Sequence, residues 1–171
     1  GAKVLDADRM AHAELEKGSR SYKKIVKAFG CAVVGRAGRI DRKALAEAAF
    51  SSRRHLNKLN AIIHPQVIKD IKDEIRKIKK GGVVVIDAPL LIEANLTGLM
   101  DILVVVKAPR TRQFERCMEK SGMGKNECLR RMGNQMPLEK KIRLADYVID
   151  NGGTRSQTKK QVAQIWRKIW K

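Results

Sequence analysis

The sequence predicts an α/β fold in which helices flank a parallel sheet. Three short apolar runs support this fold class: residues 83–86 (VVVI), 102–106 (ILVVV) and 147–149 (YVI). Short continuous runs of valine and isoleucine are typical of strands buried on both faces of a parallel sheet. A further short strand at residues 3–5 and the helical patterns between the runs give the order β–helices–β–α–β–α–β–α.

Length and composition restrict the class of protein. With 171 residues, the chain is long enough for one domain with a sizeable core and a small subdomain. It is 43% hydrophobic and 32% charged, which favours a globular fold over disorder. The formal charge of +19 indicates an anionic partner, either nucleic acid or phosphate-bearing small molecules. No apolar run reaches the ~20 residues of a membrane span, and no signal peptide is visible.

The cysteines predict a reducing location. Cys31, Cys117 and Cys128 are odd in number and widely spaced, and they match neither a zinc site nor a redox motif. Because disulfides are rare in reducing compartments, this usage favours the cytoplasm.

Residues 9–80 are predicted to be helical. Tyr22, Ile25, Val26 and Phe29 lie at i, i+3, i+4 and i+7, the spacing of one helix face. The predicted boundaries are a stop at Gly30, an N-cap at Asp41, an N-cap at Ser51 or Ser52, an interruption at His64-Pro65 and a stop at Gly81-Gly82.

The second half predicts further helices between its strands. A helix follows residues 102–106, and a turn at 121–124 (SGMG) separates it from a short basic helix at 127–135. A short helix at 140–144 precedes the last strand. The C-terminal helix is expected to bury Val162, Ile165, Trp166 and Ile169.

Carboxylates follow two of the predicted strands. Asp87 directly follows residues 83–86, so it is expected at the carboxyl end of a strand, where open α/β sheets bind ligands. A carboxylate at that position serves Mg²⁺ in P-loop folds, although it could equally cap the next turn. Asp6 and Asp8 follow the first strand, and they too could cap the helix after it.

Four passages occur together in one order: VLDAD at residues 4–8, His64-Pro65, PLLIE at 89–93, and QMPLEKK…ADYVIDN at 135–151. Together they resemble the dephospho-CoA kinase family, P-loop kinases of the nucleoside monophosphate kinase type, over essentially the whole chain. The resemblance implies transfer of the ATP γ-phosphate, with Mg²⁺, to the ribose 3′-hydroxyl of dephospho-CoA in the last step of coenzyme A biosynthesis. It also implies a kinase core (residues 1–8, 81–111 and 142–171), a helical CoA-binding subdomain (9–80) and a lid (about 112–141).

The resemblance also implies roles for individual residues. The sugar hydroxyl needs a carboxylate to orient it and accept its proton, and Asp8 is the implied catalytic base, with Asp6 supporting substrate or metal. Asp87 is implied in a Mg²⁺ or structural role. The remaining implied contacts are His64, Leu90 and Glu93 with the substrate, and Arg116, Arg131, Lys141 and Asn151 with ATP. For the basic residues the alternative is a solvated face, and for His64 it is a purely structural role.

One family element is missing from the sequence. The pattern G-x-x-x-x-G-K-[ST] of the Walker A loop does not occur, and residues 122–125 (GMGK) lack its spacing and a preceding strand. The sequence is therefore expected to be an N-terminally truncated form that lacks the first, central strand and is inactive alone. Its second and third strands are expected to leave a gap or to collapse together.

Two other functions are compatible with the charge. The chain could be a basic nucleic-acid-binding protein or an inactive scaffold derived from the kinase. Only 4% of residues are aromatic, which leaves few stacking platforms for single strands, and no zinc-finger or RNA-recognition signature is present. The sequence thus favours small phosphorylated ligands over nucleic acid.

Overall fold

The computed structural model describes residues 1–79, 81–121 and 124–170, without the side chains of residues 120, 121 and 131. The chain divides into two compact units, Gly1–Pro89 and Leu90–Lys171. Each unit contains a two-stranded parallel sheet. The predicted α/β class and the parallel pairing within each unit are therefore confirmed, whereas the expected gap or collapse stays a prediction.

The sheet of the first unit pairs β1 (Lys3–Asp6) with β2 (Val84–Asp87). In the described part of the chain, four helices lie between the two strands, and they bear out the helical character predicted for residues 9–80. They are α1 (Ala7–Ala13), α2 (Tyr22–Phe29), α3 (Arg42–Phe50) and α4 (Arg53–Arg76), with short 3₁₀ turns at Cys31–Val33 and Arg36–Gly38.

The helix boundaries of this unit follow from local chemistry. Asp41 and Ser52 accept hydrogen bonds from the first backbone N–H groups of α3 and α4, as N-caps do. Gly30 ends α2 with a φ of 81°, a conformation that glycine adopts without strain. The core between the helices and the sheet consists of Leu5, Ile25, Val33, Ile40, Leu45, Ile63, Val67 and Ile71.

The prediction that His64-Pro65 interrupts the helix is wrong. Helix α4 continues through Pro65 for 24 residues. Proline there removes the hydrogen bond to the carbonyl of Ala61, which costs ~3 kcal/mol. Ile63, Val67 and Ile71 form one buried stripe on both sides of the proline, and fully burying such side chains contributes ~1.5–3 kcal/mol each. Tertiary packing therefore outweighs the local preference.

The second unit pairs β3 (Val104–Lys107) with β4 (Tyr147–Asp150). Its helices are α5 (Arg110–Ser121), α6 (Lys125–Gly133), α7 (Leu138–Leu144) and α8 (Arg155–Ile169), with a 3₁₀ turn at Thr97–Leu99. Thr154 and Gln157 form a reciprocal capping box that fixes the start of α8 directly after the β4 loop. In the described part of the chain, no helix has the length and apolar character that crossing a membrane requires.

The strands are less buried than predicted. Leu5 and Val105 are buried, but Val4, Val85 and Val106 are 64%, 45% and 55% exposed. Because side chains alternate along a strand, only one face of each sheet packs on the described helices. The expectation that α8 buries Val162, Ile165, Trp166 and Ile169 is also wrong, since no described residue of α8 is buried and Val162 is 47% exposed.

Candidate functional site

Two carboxylates meet at the carboxyl end of the first sheet. Asp6 and Asp87 are register partners in the parallel pair β1–β2, and both residues are exposed. Asp87 is the last residue of its strand, as predicted. The two strand ends therefore form an acidic edge at the position where α/β sheets bind ligands.

Asp6 also has a structural function. Its side chain accepts a hydrogen bond from the backbone N–H of Arg9 over 2.9 Å and so caps helix α1. The capping role considered for Asp6 is thus confirmed. Because the bond uses only one carboxylate oxygen, it leaves acceptor capacity for a second partner.

Asp8 lies in the first turn of α1, two residues beyond the end of β1. It is exposed. The positive end of the helix dipole favours the ionised carboxylate there. An ionised, accessible carboxylate beside a sheet edge can orient a hydroxyl group and accept its proton.

The acidic edge is not a preformed metal cage. Among the described residues, no group of three or more His, Cys, Asp or Glu side chains is arranged to hold a metal ion. Mg²⁺ usually takes only one or two protein carboxylates and completes its shell with water and substrate phosphates. The pair formed by Asp6 and Asp87 fits that smaller requirement.

The second unit contains an open cavity of about 660 Å³. Two residues predicted to contact ATP, Arg116 on α5 and Asn151 after β4, both line it. The rest of the lining comes from the loop after β4 and from one side of α8, namely Gly153, Arg155, Thr158, Lys159, Val162, Ala163, Trp166 and Arg167.

The cavity is strongly cationic. Among the described residues, Arg116, Arg155, Lys159 and Arg167 line it, and no carboxylate does. Within the described residues, these four cations take part in no ion pair. Val162, Ala163 and Trp166 form an apolar strip beside them. A cavity of this kind suits a ligand with one apolar ring system and several negative charges.

The loop after β4 is tightly fixed. The backbone N–H of Asn151 donates to the carbonyl of Lys107 over 2.7 Å, and its side chain accepts from Thr158 Oγ1 over 3.0 Å. The hydrogen bond from the backbone N–H of Gly152 is the main cause that holds the pKa of Asp150 below its ordinary value. The side chain of Lys107 lowers this pKa further. These contacts hold Asn151 at the rim of the cavity.

Gly152 is required by its surroundings. A Cβ atom at this position would lie 2.6 Å from Pro109 Cδ and 3.0 Å from Asp150 Oδ1. We expect Gly152→Ala to destabilise the protein by ~1–3 kcal/mol, since the added methyl group forces the loop to move. Denaturant unfolding measures this loss. Gly98→Ala is the matched control because its Cβ would have no heavy atom within 4 Å, and equal unfolding midpoints for the two variants would contradict the prediction.

Glu93 and Lys141 are paired with each other. Glu93 Oε1 accepts from Lys141 Nζ over 2.7 Å and from the backbone N–H of Met136 over 2.9 Å. Both side chains are mostly buried, and Glu93 Oε2 has no hydrogen-bond partner among the described residues. Burial raises the pKa of Glu93, but Lys141 and the Met136 N–H outweigh it and hold the pKa below 4.5. The pair connects the segment after β2 to the middle of α7.

We expect Lys141→Met to destabilise the protein by ~1–3 kcal/mol, because it leaves a desolvated carboxylate with one weaker partner. Adding Glu93→Gln to this variant should restore part of the loss. Lys140→Met, at the exposed neighbouring position, is the control and should change the free energy of unfolding little.

The same pair predicts a pH dependence. Since the folded-state pKa of Glu93 is lowered, its stabilisation is fully present above about pH 4.5 and is lost as the pH falls through the folded-state value. Unfolding measured between neutral and acidic pH should therefore show a smaller loss in Glu93→Gln than in the wild type. Identical pH profiles would show that the pair contributes nothing.

The other predicted residues are placed as follows. His64 is half-buried on α4, and burial lowers the pKa of its imidazole. Leu90 is 43% exposed, whereas Leu91 and Ile92 are buried. The side chain of Arg131 lies outside the described residues. Ligand contacts for His64, Leu90 and Arg131 stay predictions.

Sequence reasoning missed the contribution of helix α8. Arg155, Lys159, Ala163 and Arg167 recur every four residues and form one stripe, beside a second stripe of Thr158, Val162 and Trp166. The apolar residues were assigned to the core because their helical spacing is also typical of a buried face. The available signal was that Arg155, Lys159 and Arg167 lie four and eight residues apart, on one face of the helix.

The comparisons agree with this architecture. The profile of the family described as "Dephospho-CoA kinase" matches residues 1–157. The chain is similar to the dephospho-CoA kinase of Carboxydothermus hydrogenoformans (40% identity, 100% of this chain and 84% of the relative) and to that of Aquifex aeolicus (38%, 99% and 86%). It is also similar to the crystal structure of TT1252 from Thermus thermophilus, with a TM-score of 0.85, 31% identity and coverage of 100% and 86%.

A second solved structure supports the fold. The dephospho-CoA kinase from Campylobacter jejuni matches with a TM-score of 0.70 at 22% identity, over 99% of this chain and 85% of that one. The parallel strands and flanking helices thus define an α/β protein with the fold of the P-loop kinases. The profile match and the curated relatives go further: the chain belongs to the dephospho-CoA kinase family.

Proposed function

We propose that the complete gene product carries out ATP-dependent phosphorylation of the ribose 3′-hydroxyl of dephospho-CoA, the last step of coenzyme A biosynthesis. The family match over residues 1–157 carries the proposal. The cationic cavity and the acidic sheet edge support it, because a kinase needs positive charge for the phosphates and a carboxylate for the attacking hydroxyl. The proposal includes a cytoplasmic location, which the odd number and wide spacing of the cysteines favour.

Asp8 is the proposed catalytic base. It orients the acceptor hydroxyl and takes its proton as the bond to phosphorus forms. Its exposed position in the first turn of α1, beyond the β1 end, supports this role. Asp6 is the proposed neighbour that binds substrate or metal, since it is held at the sheet edge by the capping bond to Arg9.

The cavity of the second unit is the proposed ATP-binding region. Asn151 and the apolar strip on α8 border the base, and Arg116 neutralises charge on the phosphates. ATP is the phosphate donor that the family implies. Arg131 and Lys141 are proposed to add positive charge within a lid of about residues 112–141, in which Lys141 is oriented by Glu93.

Mg²⁺ is the metal that this chemistry implies. Asp6 and Asp87 would hold it, because adjacent strand ends present two exposed carboxylates. When bound, the ion neutralises charge on the phosphates of ATP.

The helical subdomain of residues 9–80 is proposed to bind dephospho-CoA, with His64, Leu90 and Glu93 as substrate contacts. His64 would act as a neutral hydrogen-bonding group, because burial lowers its pKa.

The direct test is an assay of the purified complete gene product with ATP, Mg²⁺ and dephospho-CoA. Mass spectrometry of the product should show one added phosphoryl group, and digestion should place it on the 3′ oxygen. Coenzyme A is the control acceptor, since its 3′ position is already phosphorylated. Steep salt-dependent DNA binding without binding of dephospho-CoA would contradict the proposal and favour the nucleic-acid function.

A further inference from the structure

Two of the three cysteines lie side by side in the second unit. Cys117 on α5 and Cys128 on α6 are 11 residues apart in the sequence, and their Sγ atoms are 2.6 Å apart. Both cysteines are in the reduced state. Cys31, in the first unit, is exposed. The fold therefore creates a pair of thiols that the sequence spacing does not reveal.

The two thiols differ in their access to solvent. Cys128 is fully buried, whereas Cys117 is only partly buried. A small oxidant can therefore reach Cys117 before Cys128. Because Cys128 already touches Cys117, its effective concentration at that sulfur is far above that of a thiol in solution. This is the arrangement of an attacking thiol and a resolving thiol.

We propose that Cys117 and Cys128 form an oxidisable dithiol, which a low-molecular-weight disulfide such as oxidised glutathione converts into a reversible cross-link between α5 and α6. The Cys117 thiolate attacks one sulfur of the small disulfide and releases one small thiol. The Cys128 thiolate then attacks the Cys117 sulfur and releases the second. The protein loses two electrons and two protons, and the small disulfide is reduced to two thiols.

The site is suited to a transient modification. Structural disulfides are rare in reducing compartments, and those that form there are mostly catalytic or redox-sensing. A disulfide between Cys117 and Cys128 would join α5 to α6, the helix that follows it in the sequence. Cys117 directly follows Arg116, which lines the cationic cavity, so the cross-link forms next to a residue of the proposed ATP-binding region.

The test treats the reduced complete gene product with one molar equivalent of oxidised glutathione, quenches it with an alkylating reagent and maps the peptides without reduction. We expect a Cys117–Cys128 disulfide, a mass decrease of two hydrogen atoms before alkylation, and Cys31 still alkylated. Dithiothreitol should restore the thiols of Cys117 and Cys128. The result does not depend on kinase activity, so it stands or fails separately from the proposed function.

Variants separate the pair from general cysteine reactivity. Cys31→Ser should leave the cross-link unchanged. Cys117→Ser, at the accessible position, should abolish it and leave Cys128 reduced, while Cys128→Ala should retain glutathione on Cys117. If wild-type protein instead accumulates a stable mixed disulfide on Cys117, or oxidises first at Cys31, the proposal is overturned. Cys117→Ser provides the same test if Cys128→Ala does not fold.

Discussion

Asp8→Asn is expected to lower kcat of the complete gene product by ~10²–10⁴-fold, the usual cost of losing a general base. Asparagine keeps the size and hydrogen-bonding shape of the side chain but cannot take a proton. The KM for ATP should change little, because the substitution removes an interaction that acts on the attacking hydroxyl in the transition state. Steady-state kinetics with dephospho-CoA as the varied acceptor, at saturating ATP, measures the effect.

Asp73→Asn is the matched control for Asp8→Asn. Asp73 lies on α4, where its carboxylate pairs with Arg76 over 3.0 Å at the surface. Exposed pairs of this kind contribute little to stability, so this variant should keep wild-type turnover. Retention of more than half of wild-type turnover by Asp8→Asn would exclude Asp8 as the base.

The pH profile gives a second test of the same residue. A general base must be ionised, so kcat of the wild type should fall at acidic pH as the base becomes protonated. Asp8→Asn should lack this acidic limb in its residual activity. An unchanged acidic limb would assign the ionisation to another group.

The strands and the helix caps could be predicted because their signals are local. Valine-rich runs followed by a carboxylate indicate strand ends, and Asp41 and Ser52 cap the helices that follow them. The position of Asp87 at the carboxyl end of the sheet could be predicted because Asp87 directly follows a strand in the sequence. Parallel strands present their carboxyl ends at one edge of the sheet.

Contacts between distant residues could not be predicted in this way. Pro65 remains inside α4 because the buried stripe of Ile63, Val67 and Ile71 continues past it, and that stabilisation depends on partners elsewhere in the unit. The ion pair of Glu93 with Lys141 joins residues far apart in the sequence. The family resemblance implies a substrate contact for Glu93 and an ATP contact for Lys141. In the structure the two side chains form an ion pair with each other.

The burial of the apolar residues of α8 could not be predicted correctly from the sequence either. An apolar residue at helical spacing is usually in the core, yet Val162 is 47% exposed and lines the cationic cavity with Trp166. Three cations recurring along the same helix distinguish such a ligand-facing strip from a core face. The same periodicity, examined for charge as well as hydropathy, would have identified α8 as part of the candidate site.

Arg116→Gln is expected to lower kcat/KM for ATP by ~10²–10³-fold, the cost of removing one charged or hydrogen-bonding group that stabilises a developing negative charge. Glutamine retains much of the side-chain length but loses the charge. Arg116 has no ion-pair partner among the described residues, so its charge is available to a ligand in the cavity. If the arginine acts on the transferred phosphoryl group, kcat falls; if it only holds bound ATP, KM rises with kcat unchanged.

Arg112→Gln is the control for Arg116→Gln, one helical turn earlier on α5. Arg112 is exposed and pairs with Glu115 over 3.5 Å, and it does not line the cavity. The two substitutions remove the same charge from the same helix, so general effects of net charge on ATP binding should be equal in both. An equal loss of kcat/KM in the two variants would therefore show that the basic surface attracts ATP only non-specifically. A loss confined to Arg116→Gln would locate the phosphates at this cavity.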